Sequence, residues 1–510
     1  MNKEQIGIVG GSGYVGLRLC KALLDTGHHV LVITRSISHR LKALESCGRL
    51  EIIQWDLLQP AEGTTLQGKK ISQVYYLIHS MTGNYQHFSE QELQCVNNLI
   101  PFLKERQADH VIYLSALCNS TKKDTSRHFY SRCATGQTLK NALNNIKVTT
   151  LKASIIIGSG SASFEIVRDL TAKLPLMVTP KWIKQKCQPV AISDVLQVLI
   201  ALVNRVDLHN QDYDLCGTEI LSFRELILLA AKQQHRYPII LSVPLLTPYL
   251  SSLWLYFVTS VDFALSRALV ESMCYPSVST GKNILHLLKM TPVSMDRAIR
   301  RAFSKENGDQ VLSAWSDSLP LCLTESNLSL AMQSQKDQLL IYTCSTPVSY
   351  QSAPQCIKRV WEIGGKNGWY AYDTLWKIRG WIDSLLGGIG LTRGRRSQQE
   401  IFAGDCLDFW RVIKAEKQVP TEVRSSKHHM HLLLYAQMLL PGKAWLEFKL
   451  DSEAKTENKT FLKLSITAYF LPAQKPILGA LGKAYWIATY PLHVMLFRRL
   501  LQKITTQPQN

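Results

Sequence analysis

The sequence predicts an α/β unit built on a doubly wound parallel sheet, followed by a smaller α+β unit. Through about residue 300, short apolar runs alternate with segments of helical apolar spacing, which is typical of βαβ repeats. Beyond about residue 330, apolar and polar residues nearly alternate, which favours antiparallel strands. Because 510 residues exceed what one hydrophobic core accommodates, we expect domains at 1–304 and 331–505 and a linker at 305–330.

The composition is that of an ordinary globular protein, with 46% hydrophobic and 19% charged residues. The net charge of +19 attracts phosphate-bearing partners and anionic lipid surfaces, whereas no basic stripe interleaved with aromatics predicts nucleic-acid binding. Twelve cysteines without a Cys-x-x-Cys pair indicate reduced thiols. The chain leads directly into a strand, so no signal peptide is expected. We predict a cytoplasmic protein, with peripheral attachment to the inner membrane face as an alternative.

The glycines near the N-terminus form the most informative motif. An apolar run at 6–9 predicts a buried strand, and glycines follow at 10, 13 and 16, ahead of a helical pattern. Gly10 permits a tight turn, Gly13 lets backbone N–H groups approach a pyrophosphate, and Gly16 lets the helix pack on the strand. The helix N-terminus adds unpaired N–H groups and a positive dipole end. The motif predicts that a dinucleotide is bound by Gly10, Ser12, Gly13, Tyr14, Val15 and Gly16.

The second and third predicted strands place polar residues where the adenosine half of a dinucleotide lies. Arg35 follows the second strand at the position where an acidic residue would accept from the ribose 2′-hydroxyl of NAD(H). A guanidinium pairs instead with a 2′-phosphate, and Arg40 is close enough in sequence to assist. The third strand ends at Asp56 and Leu57, where a carboxylate accepts from the adenine amino group. The sequence therefore favours NADP(H) over NAD(H).

Further candidates follow the next strands. The fourth strand (74–78) ends at His79 and Ser80, and the fifth (110–114) ends at Ser115. Because ligands of open parallel sheets collect at the carboxyl ends of the strands, we expect these side chains to contact the cofactor. The helical stretch 90–104 carries Asn97 towards the same crevice, and Ile155–Ile157 is predicted as the sixth strand.

Three stretches carry a resemblance to a known family. Residues 10–16, 77–81 and 153–165 resemble the atypical short-chain dehydrogenase/reductase family of YbjT-like, NmrA- and extended-type NAD(P)-binding proteins. The likeness covers residues 1 to about 300. It implies a Rossmann-type sheet, a nicotinamide dinucleotide cofactor and an oxidoreductase that acts on a hydrophobic substrate.

One departure from that family bears on catalysis. Short-chain dehydrogenases use Tyr-x-x-x-Lys, in which the ammonium lowers the pKa of the phenol for proton transfer. No Tyr of this chain is followed four residues later by Lys, and His128 and Arg132 fall at the corresponding positions. His128, Tyr130, Arg132 and Ser115 are the catalytic candidates. The alternative is that this helix only packs and orders the cofactor ribose, so that the protein is a non-catalytic NADP(H)-occupied scaffold or redox sensor.

The stretch 237–261 contains no charged residue and is long enough to span a bilayer. Pro238, Pro244 and Pro248 interrupt its first half. We expect a lid over the crevice, or a patch on a membrane surface, rather than a spanning helix.

The C-terminal pattern predicts a helix at 367–386, four strands and a closing helix at 476–504. This order resembles the helix-grip class of START and polyketide-cyclase-like domains, and Gly404-Asp405 and 441–446 resemble the domain of unknown function that follows YbjT-like units. The resemblance implies a cavity for a lipid, quinone or polyketide-like ring, which would also suit a carrier at a membrane surface. The alternative is a solid core around Trp369, Trp376, Trp381 and Trp410.

A histidine-rich segment lies on one of these predicted strands. Strand alternation would place the side chains of His429 and His431 on one face. With no acid or thiol pattern nearby, we expect no metal site.

Overall fold

The computed structural model describes most of the chain in two compact units, Met1–Leu319 and Pro320–Asn510. The described residues are 5–61, 68–78, 88–117, 126–143, 145–243, 249, 251–252, 255, 263–307, 338–385, 400–401, 405–418, 428–436, 438, 440–455, 459–474 and 476–506. Most of the predicted linker at 305–330 lies outside them, so the linker remains a prediction. None of the described helices combines the length and apolarity that are needed to cross a bilayer.

The first unit alternates strands with helices, as predicted. Its strands are β1 (Gln5–Val9), β2 (His29–Thr34), β3 (Leu50–Gln54), β4 (Ile71–Tyr76), β5 (His110–Ala116), β6 (Lys147–Ala153), β7 (Ile156–Ile157), β8 (Leu176–Pro180), β9 (Lys186–Cys187), β10 (Val190–Ala191), β11 (Asp212–Leu215), β12 (Leu221–Ser222) and β13 (Ile239–Val243). Its helices are α1 (Tyr14–Asp25), α2 (His39–Ala43), α3 (Phe88–Glu105), α4 (Arg127–Ala142), α5 (Ala162–Lys173), α6 (Ile192–Ala201), α7 (Phe223–Gln233), α8 (Phe263–Met273), α9 (Ile284–Leu287) and α10 (Met295–Asn307).

Seven of these strands form one parallel sheet in the order β11-β6-β5-β4-β1-β2-β3. The chain runs outward from β1 in one direction through β2 and β3, and in the other direction from β4 onward. This is a Rossmann-type doubly wound sheet, and its topological switch point lies between β1 and β4. The crevice for a ligand is therefore expected at the carboxyl ends of these two strands.

Both faces of the sheet are covered, which explains why the strands read as continuous apolar runs. Ile6 and Ile8 of β1 pack in one core with residues of α1 and α6, whereas Val9 packs in a second core with residues of α3. A third core joins α5, α7 and α10 into a small lobe. Ser222 followed three residues later by Glu225 is the sequence signature of a capping box, and the structure shows that box at the start of α7.

The predicted sixth strand is displaced. The sixth strand of the sheet is β6, whereas the predicted Ile155–Ile157 yields only the two-residue β7, which pairs with β10 outside the main sheet. Ser154 N donates to Leu215 O at 3.1 Å, at the point where the chain turns off the sheet. The apolar triplet was misread because it is more hydrophobic than the Thr-containing strand before it.

The second unit contains one antiparallel sheet. Its strands are β14 (Leu340–Val348), β15 (Cys406–Leu407), β16 (Trp410–Lys417), β17 (His428–Ala436), β18 (Gly442–Lys455) and β19 (Lys459–Pro472), in the order β14-β19-β18-β17-β16-β15. Its helices are α11 (Ala353–Trp361), α12 (Asp373–Leu385) and α13 (Pro476–Thr505). The closing helix α13 packs on the sheet through ring contacts such as Phe470 with Trp486, whose centroids lie 5.8 Å apart. The α+β class predicted for this unit is confirmed.

The helix predicted to begin near residue 367 begins six residues later. Gly368, Tyr370 and Tyr372 all have positive φ, which the right-handed helix excludes. The carboxylate of Asp373 then accepts from Trp369 N at 2.8 Å, at the start of α12.

Candidate functional site

The turn after β1 has the stereochemistry that the glycine motif predicts. Gly10 has a φ of +90°, its N–H donates to Ile33 O at 2.9 Å, and its O accepts from Gly13 N at 3.1 Å. A Cβ at Gly10 would lie 3.3 Å from the backbone N of Ile78. Only glycine adopts this conformation at so close an approach of β1 to β4 without strain.

Two further glycines allow α1 to begin directly on the sheet. A Cβ on Gly16 would lie 2.3 Å from Gly10 O, and a Cβ on Gly11 would lie 2.4 Å from the Val32 side chain. Sequence reasoning gave Gly11 no role, although its place between Gly10 and Ser12 in the motif was the available signal. Both glycines bring the start of the helix against β1 and β2.

Gly13 is less crowded than Gly11 and Gly16, because a Cβ built there would have one neighbouring atom, in tight contact rather than in a clash. The nearest atom to a Cβ built there is Gly10 O at 3.3 Å. Gly13 is the N-cap of α1, and no side chain forms a cap hydrogen bond there. The first N–H groups of a helix lack intrahelical acceptors, so this terminus offers donors and a positive dipole end to an anion.

The remaining predicted contacts of the turn are packed into the fold. Ser12 is buried, and its Oγ accepts from Thr34 Oγ1 at 2.7 Å. Val15 packs against the core beside α1. The ring of Tyr14 lies under the Arg18 guanidinium, 4.8 Å from its centre. Ser12 therefore fixes the turn on β2, and Tyr14 packs on the next turn of its own helix, α1.

Arg18 is a structural residue that sequence reasoning missed. It is buried on α1, and its Nη2 donates to Ser159 O at 2.8 Å, in the segment after β7. The available signal was a lone cation within an apolar helical stretch. The bond joins the nucleotide-side helix to the chain that leaves the sheet.

The residues predicted at the adenosine end lie in the segments that follow β2 and β3. Arg35 is half-buried, and its O accepts from Gln54 Nε2 at 3.3 Å. Arg40 is half-buried on α2, which Ser38 caps. Asp56 Oδ1 accepts from Leu58 N at 3.1 Å, so one carboxylate oxygen orders the loop after β3.

Leu57, in the same loop, is buried and is held by an asparagine of α3. Its O accepts from Asn98 Nδ2 at 2.8 Å, whereas the predicted Asn97 is exposed on the same helix. The prediction for Asn97 is therefore wrong by one residue. The amphipathic pattern of α3 did not resolve which of two adjacent asparagines faces the sheet.

At the other end of the crevice, Ser115 is buried at the end of β5 and is hydrogen-bonded to Tyr113. The Tyr113 hydroxyl also donates to Arg132 O at 3.1 Å. Burial raises the pKa of Tyr113 to about 12, although the nearby Arg132 charge opposes the rise. Tyr113 is therefore a neutral packing residue at physiological pH.

Arg132 is committed to the fold. It is buried, its Nη1 donates to Ile78 O at 2.9 Å, and its Nη2 donates to Leu114 O. Its countercharge is the buried Glu92 of α3, at 4.0 Å. Glu92 also accepts from Ser131 Oγ at 2.5 Å. The guanidinium thus joins the carboxyl ends of β4 and β5 to α3.

The other catalytic candidates are not brought together among the described residues. Tyr130 is 48% exposed on α4, whereas Arg132, two residues later, points inward. His128 lies on α4, but its side chain lies outside the described residues, as do His79 and Ser80. The roles given to these residues remain predictions.

The second unit has a buried ionic cluster on one sheet face. Glu447 accepts from His431 Nε2 and Lys449 Nζ, both at 2.8 Å, and from the Tyr469 hydroxyl at 2.7 Å. Burial by itself raises the pKa of the Glu447 carboxyl, but the three hydrogen bonds outweigh it and lower that pKa to about 2. Glu447 is therefore ionised over the physiological range.

The histidines of β17 do not share a face, contrary to the prediction from alternation. His429 bonds Ser452 Oγ at 2.7 Å, whereas His431 bonds Glu447. Ser452 and Glu447 are five positions apart on β18, so they point to opposite faces. A β-bulge between His428 and Met430 inverts the alternation.

The tryptophans of this unit pack on one another. Trp369 and Trp376 have ring centroids 4.9 Å apart, and Trp376 lies 5.7 Å from Phe409. Trp369 Nε1 donates to Asp408 Oδ2 at 2.9 Å. The side chain of Trp381 lies outside the described residues.

Two families of sequence match parts of the chain. Residues 6–159 match the NAD dependent epimerase/dehydratase family. Residues 341–500 match a family described as a protein of unknown function, DUF2867. No curated protein sequence matches the chain. Fold and motif thus define the N-terminal part as a Rossmann-type domain, which is similar to the epimerase/dehydratase family over residues 6–159.

Solved structures with a similar fold include several sugar-nucleotide epimerases. One is UDP-glucose 4-epimerase of Thermotoga maritima with UDP-glucose, at 11% identity and a TM-score of 0.46 over 60% of this chain and 99% of that one. Another is a nucleoside-diphosphate-sugar epimerase of Staphylococcus aureus, at 13% identity and a TM-score of 0.46 over 58% and 99%. A third is UDP-glucuronic acid 4-epimerase of Bacillus cereus with UDP-glucuronic acid and NAD, at 17% identity and a TM-score of 0.46 over 60% and 98%. Likeness at this level carries no information on substrate.

Proposed function

We propose that the N-terminal unit binds a nicotinamide dinucleotide along the carboxyl edge of its sheet, with the diphosphate on the N-terminus of α1. The observation that carries this proposal is the difference between two glycines of the turn. Gly16 is required by the fold, because its Cβ would meet Gly10 O at 2.3 Å. At Gly13 a Cβ would meet only Gly10 O, at 3.3 Å, so the fold constrains this position less than Gly16, and the missing side chain leaves room for a phosphate above the helix terminus.

The cofactor we propose is NADP(H) rather than NAD(H). Arg35 and Arg40 lie at the end of β2 and on α2, where the 2′-substituent of the adenosine ribose falls in this fold. A guanidinium pairs with a phosphate through charge-assisted hydrogen bonds that a ribose hydroxyl cannot match. Asp56 and Leu57 complete the adenine side.

The chemistry we propose is that of an NADP(H)-occupied scaffold or redox sensor without the Tyr–Lys proton relay. Arg132, which falls at the lysine position, bonds Ile78 O, Leu114 O and Glu92, so its donors hold the fold together instead of serving a proton relay in the crevice. The bound nucleotide would supply hydride chemistry only to a reaction whose proton comes from another group.

A second candidate function is an oxidoreductase of YbjT-like type that acts on a hydrophobic substrate. It is favoured by Tyr130, which is 48% exposed on the helix where the resemblance places the catalytic tyrosine. His128 is the alternative proton donor, because imidazole titrates near neutral pH.

For the second unit we propose a helix-grip arrangement that receives an apolar molecule such as a lipid, quinone or polyketide-like ring. The six-stranded antiparallel sheet and the long closing helix α13 support it. The packed rings of Trp369, Trp376 and Phe409 favour a filled core in this part of the unit, which limits the room for a ligand there.

The test is calorimetric titration of the purified chain with NADPH and NADH, combined with native mass spectrometry. We expect NADPH to bind more tightly and to raise the melting temperature, with no steady consumption of NADPH in the presence of simple carbonyl compounds. An apolar molecule that copurifies would support the carrier or reductase alternatives. Absence of binding by either nucleotide would refute the proposal.

A further inference from the structure

The closing helix α13 buries one side only. Gly482, Trp486, Phe497, Leu500 and Ile504 are buried along it. Trp486 stacks on Phe470 and Phe497 stacks on Tyr342, both of which belong to the sheet. This side holds the helix on the sheet, so the helix is a fixed part of the second unit.

The opposite side of α13 is apolar and exposed. Ile477 is 80% exposed and Leu481 is 56% exposed. At 100° per residue, Trp486 and Ile504 both lie about 180° around the helix from Ile477. Exposed apolar residues recur on Ile477's side at intervals of three or four over five turns. We call this side the outer face; its residues are Ile477, Leu481, Ala484, Ala488, Leu492 and Met495.

The charged residues of α13 itself are all cationic. Beyond Glu457 the chain contains no acidic residue. Lys483 is exposed on the flank of the helix, and Arg498, Arg499 and Lys503 are exposed at its C-terminal end. An apolar strip that is followed by cations suits a surface whose interior is apolar and whose rim is anionic.

We propose that the outer face of α13 docks in the plane of a lipid bilayer that contains anionic headgroups. The apolar side chains enter the boundary between headgroups and acyl chains, while the cations bind lipid phosphates. A second copy that docked through its own outer face is a poorer occupant, because that helix brings the same cations and no carboxylate. The helix lies on the membrane and does not cross it, since it is not apolar enough to span.

The experiment is flotation of the full chain with vesicles of phosphatidylcholine alone and with vesicles that also contain phosphatidylglycerol. We expect binding to the anionic vesicles that weakens as salt is added. Ile477→Ser with Leu481→Ser lowers the partition coefficient by roughly 10- to 100-fold, because both side chains leave the lipid boundary. The matched control is Val206→Ser with Ile220→Ser, two exposed apolar positions of the first unit, which leaves binding unchanged.

A charge variant separates the two parts of the proposal. Arg499→Gln with Lys503→Gln lowers binding to anionic vesicles towards the level seen with phosphatidylcholine and leaves the fold intact, because both side chains are exposed. Equal vesicle binding by the wild type and the Ile477→Ser, Leu481→Ser variant overturns the proposal. Failure of the wild type to bind either kind of vesicle also overturns it. If gel filtration shows a dimer of the wild type that the Ile477→Ser, Leu481→Ser variant does not form, the occupant of the outer face is a second copy of the chain.

Discussion

The glycine turn after β1 and helix α4 beside β5 lie at the same edge of one sheet. Their hydrogen-bond donors differ, because those at the turn have no side-chain acceptor, whereas those of Arg132 on α4 are bonded within the fold. The N-terminus of α1 has glycine at its cap and no side-chain acceptor, so its N–H groups face outward. Helix α4 is capped by Ser126, and its Arg132 donates inward to two strands. Under our proposal the first end holds the diphosphate of the nucleotide, whereas the bonds of Arg132 make the second end a structural joint.

The largest expected effect is at that joint. Arg132→Met leaves Glu92 as a buried carboxylate without its countercharge, which costs about 3–5 kcal/mol of unfolding free energy. Urea unfolding followed by circular dichroism measures the loss. The control is Arg224→Met on the exposed side of α7, which changes stability by less than about 0.5 kcal/mol. If the two variants are equally stable, Arg132 is not the joint described above.

The next effect separates two glycines at the ligand end. Gly16→Ala forces its methyl group against Gly10 O, and we expect a loss of roughly 1–3 kcal/mol in stability, measured by urea unfolding. Gly13→Ala is the matched partner. It costs less stability than Gly16→Ala, since its methyl group makes one tight contact, with Gly10 O at 3.3 Å. It lowers NADPH affinity at least tenfold, because the methyl group occupies the phosphate position. A Gly13→Ala variant that binds as tightly as the wild type would place the diphosphate elsewhere.

A smaller and more selective effect is expected at Arg35. Arg35→Ala removes charge-assisted hydrogen bonds to a 2′-phosphate, so calorimetry should show NADPH affinity falling by roughly 10- to 100-fold. NADH affinity should change little, since NADH lacks that phosphate. Equal losses for both nucleotides would mean that Arg35 supports the loop rather than the 2′-phosphate.

The smallest effect is expected at His128 and Tyr130. Under the scaffold proposal, His128→Ala and Tyr130→Phe leave NADPH affinity and the slow background consumption of NADPH unchanged. Absorbance at the nicotinamide band follows that consumption. If the wild type oxidises NADPH rapidly and His128→Ala does not, α4 is a catalytic element rather than a structural joint.

Features of the fold that depend on a few neighbouring residues could be predicted from the sequence. The turn at Gly10 and the cap at Ser222 follow from stereochemistry within a few residues, so the sequence alone predicts them. The two ends of the crevice differ in this respect. The motif reports the phosphate end directly, whereas the partners of Arg132 come from α3, β4 and β5, which are distant in sequence.

Two of the errors share that cause. The bulge in β17 that turns His429 away from His431 arises from pairing with β18, which alternation within one strand cannot report. The choice between Asn97 and Asn98 depends on the rotation of α3 against the sheet. The predicted helix start at 367 was wrong for a different reason. Tyr370 and Tyr372 have positive φ angles, which are rare for tyrosine and which the sequence does not indicate.

The hydrogen bond from Arg18 to Ser159 affects local opening of the first unit. Local opening of the segment at 158–161 must break a buried guanidinium bond that begins on α1. A ligand that binds the first turn of α1 will therefore also slow amide hydrogen exchange at 158–161. Arg18→Lys will remove this coupling between α1 and the segment.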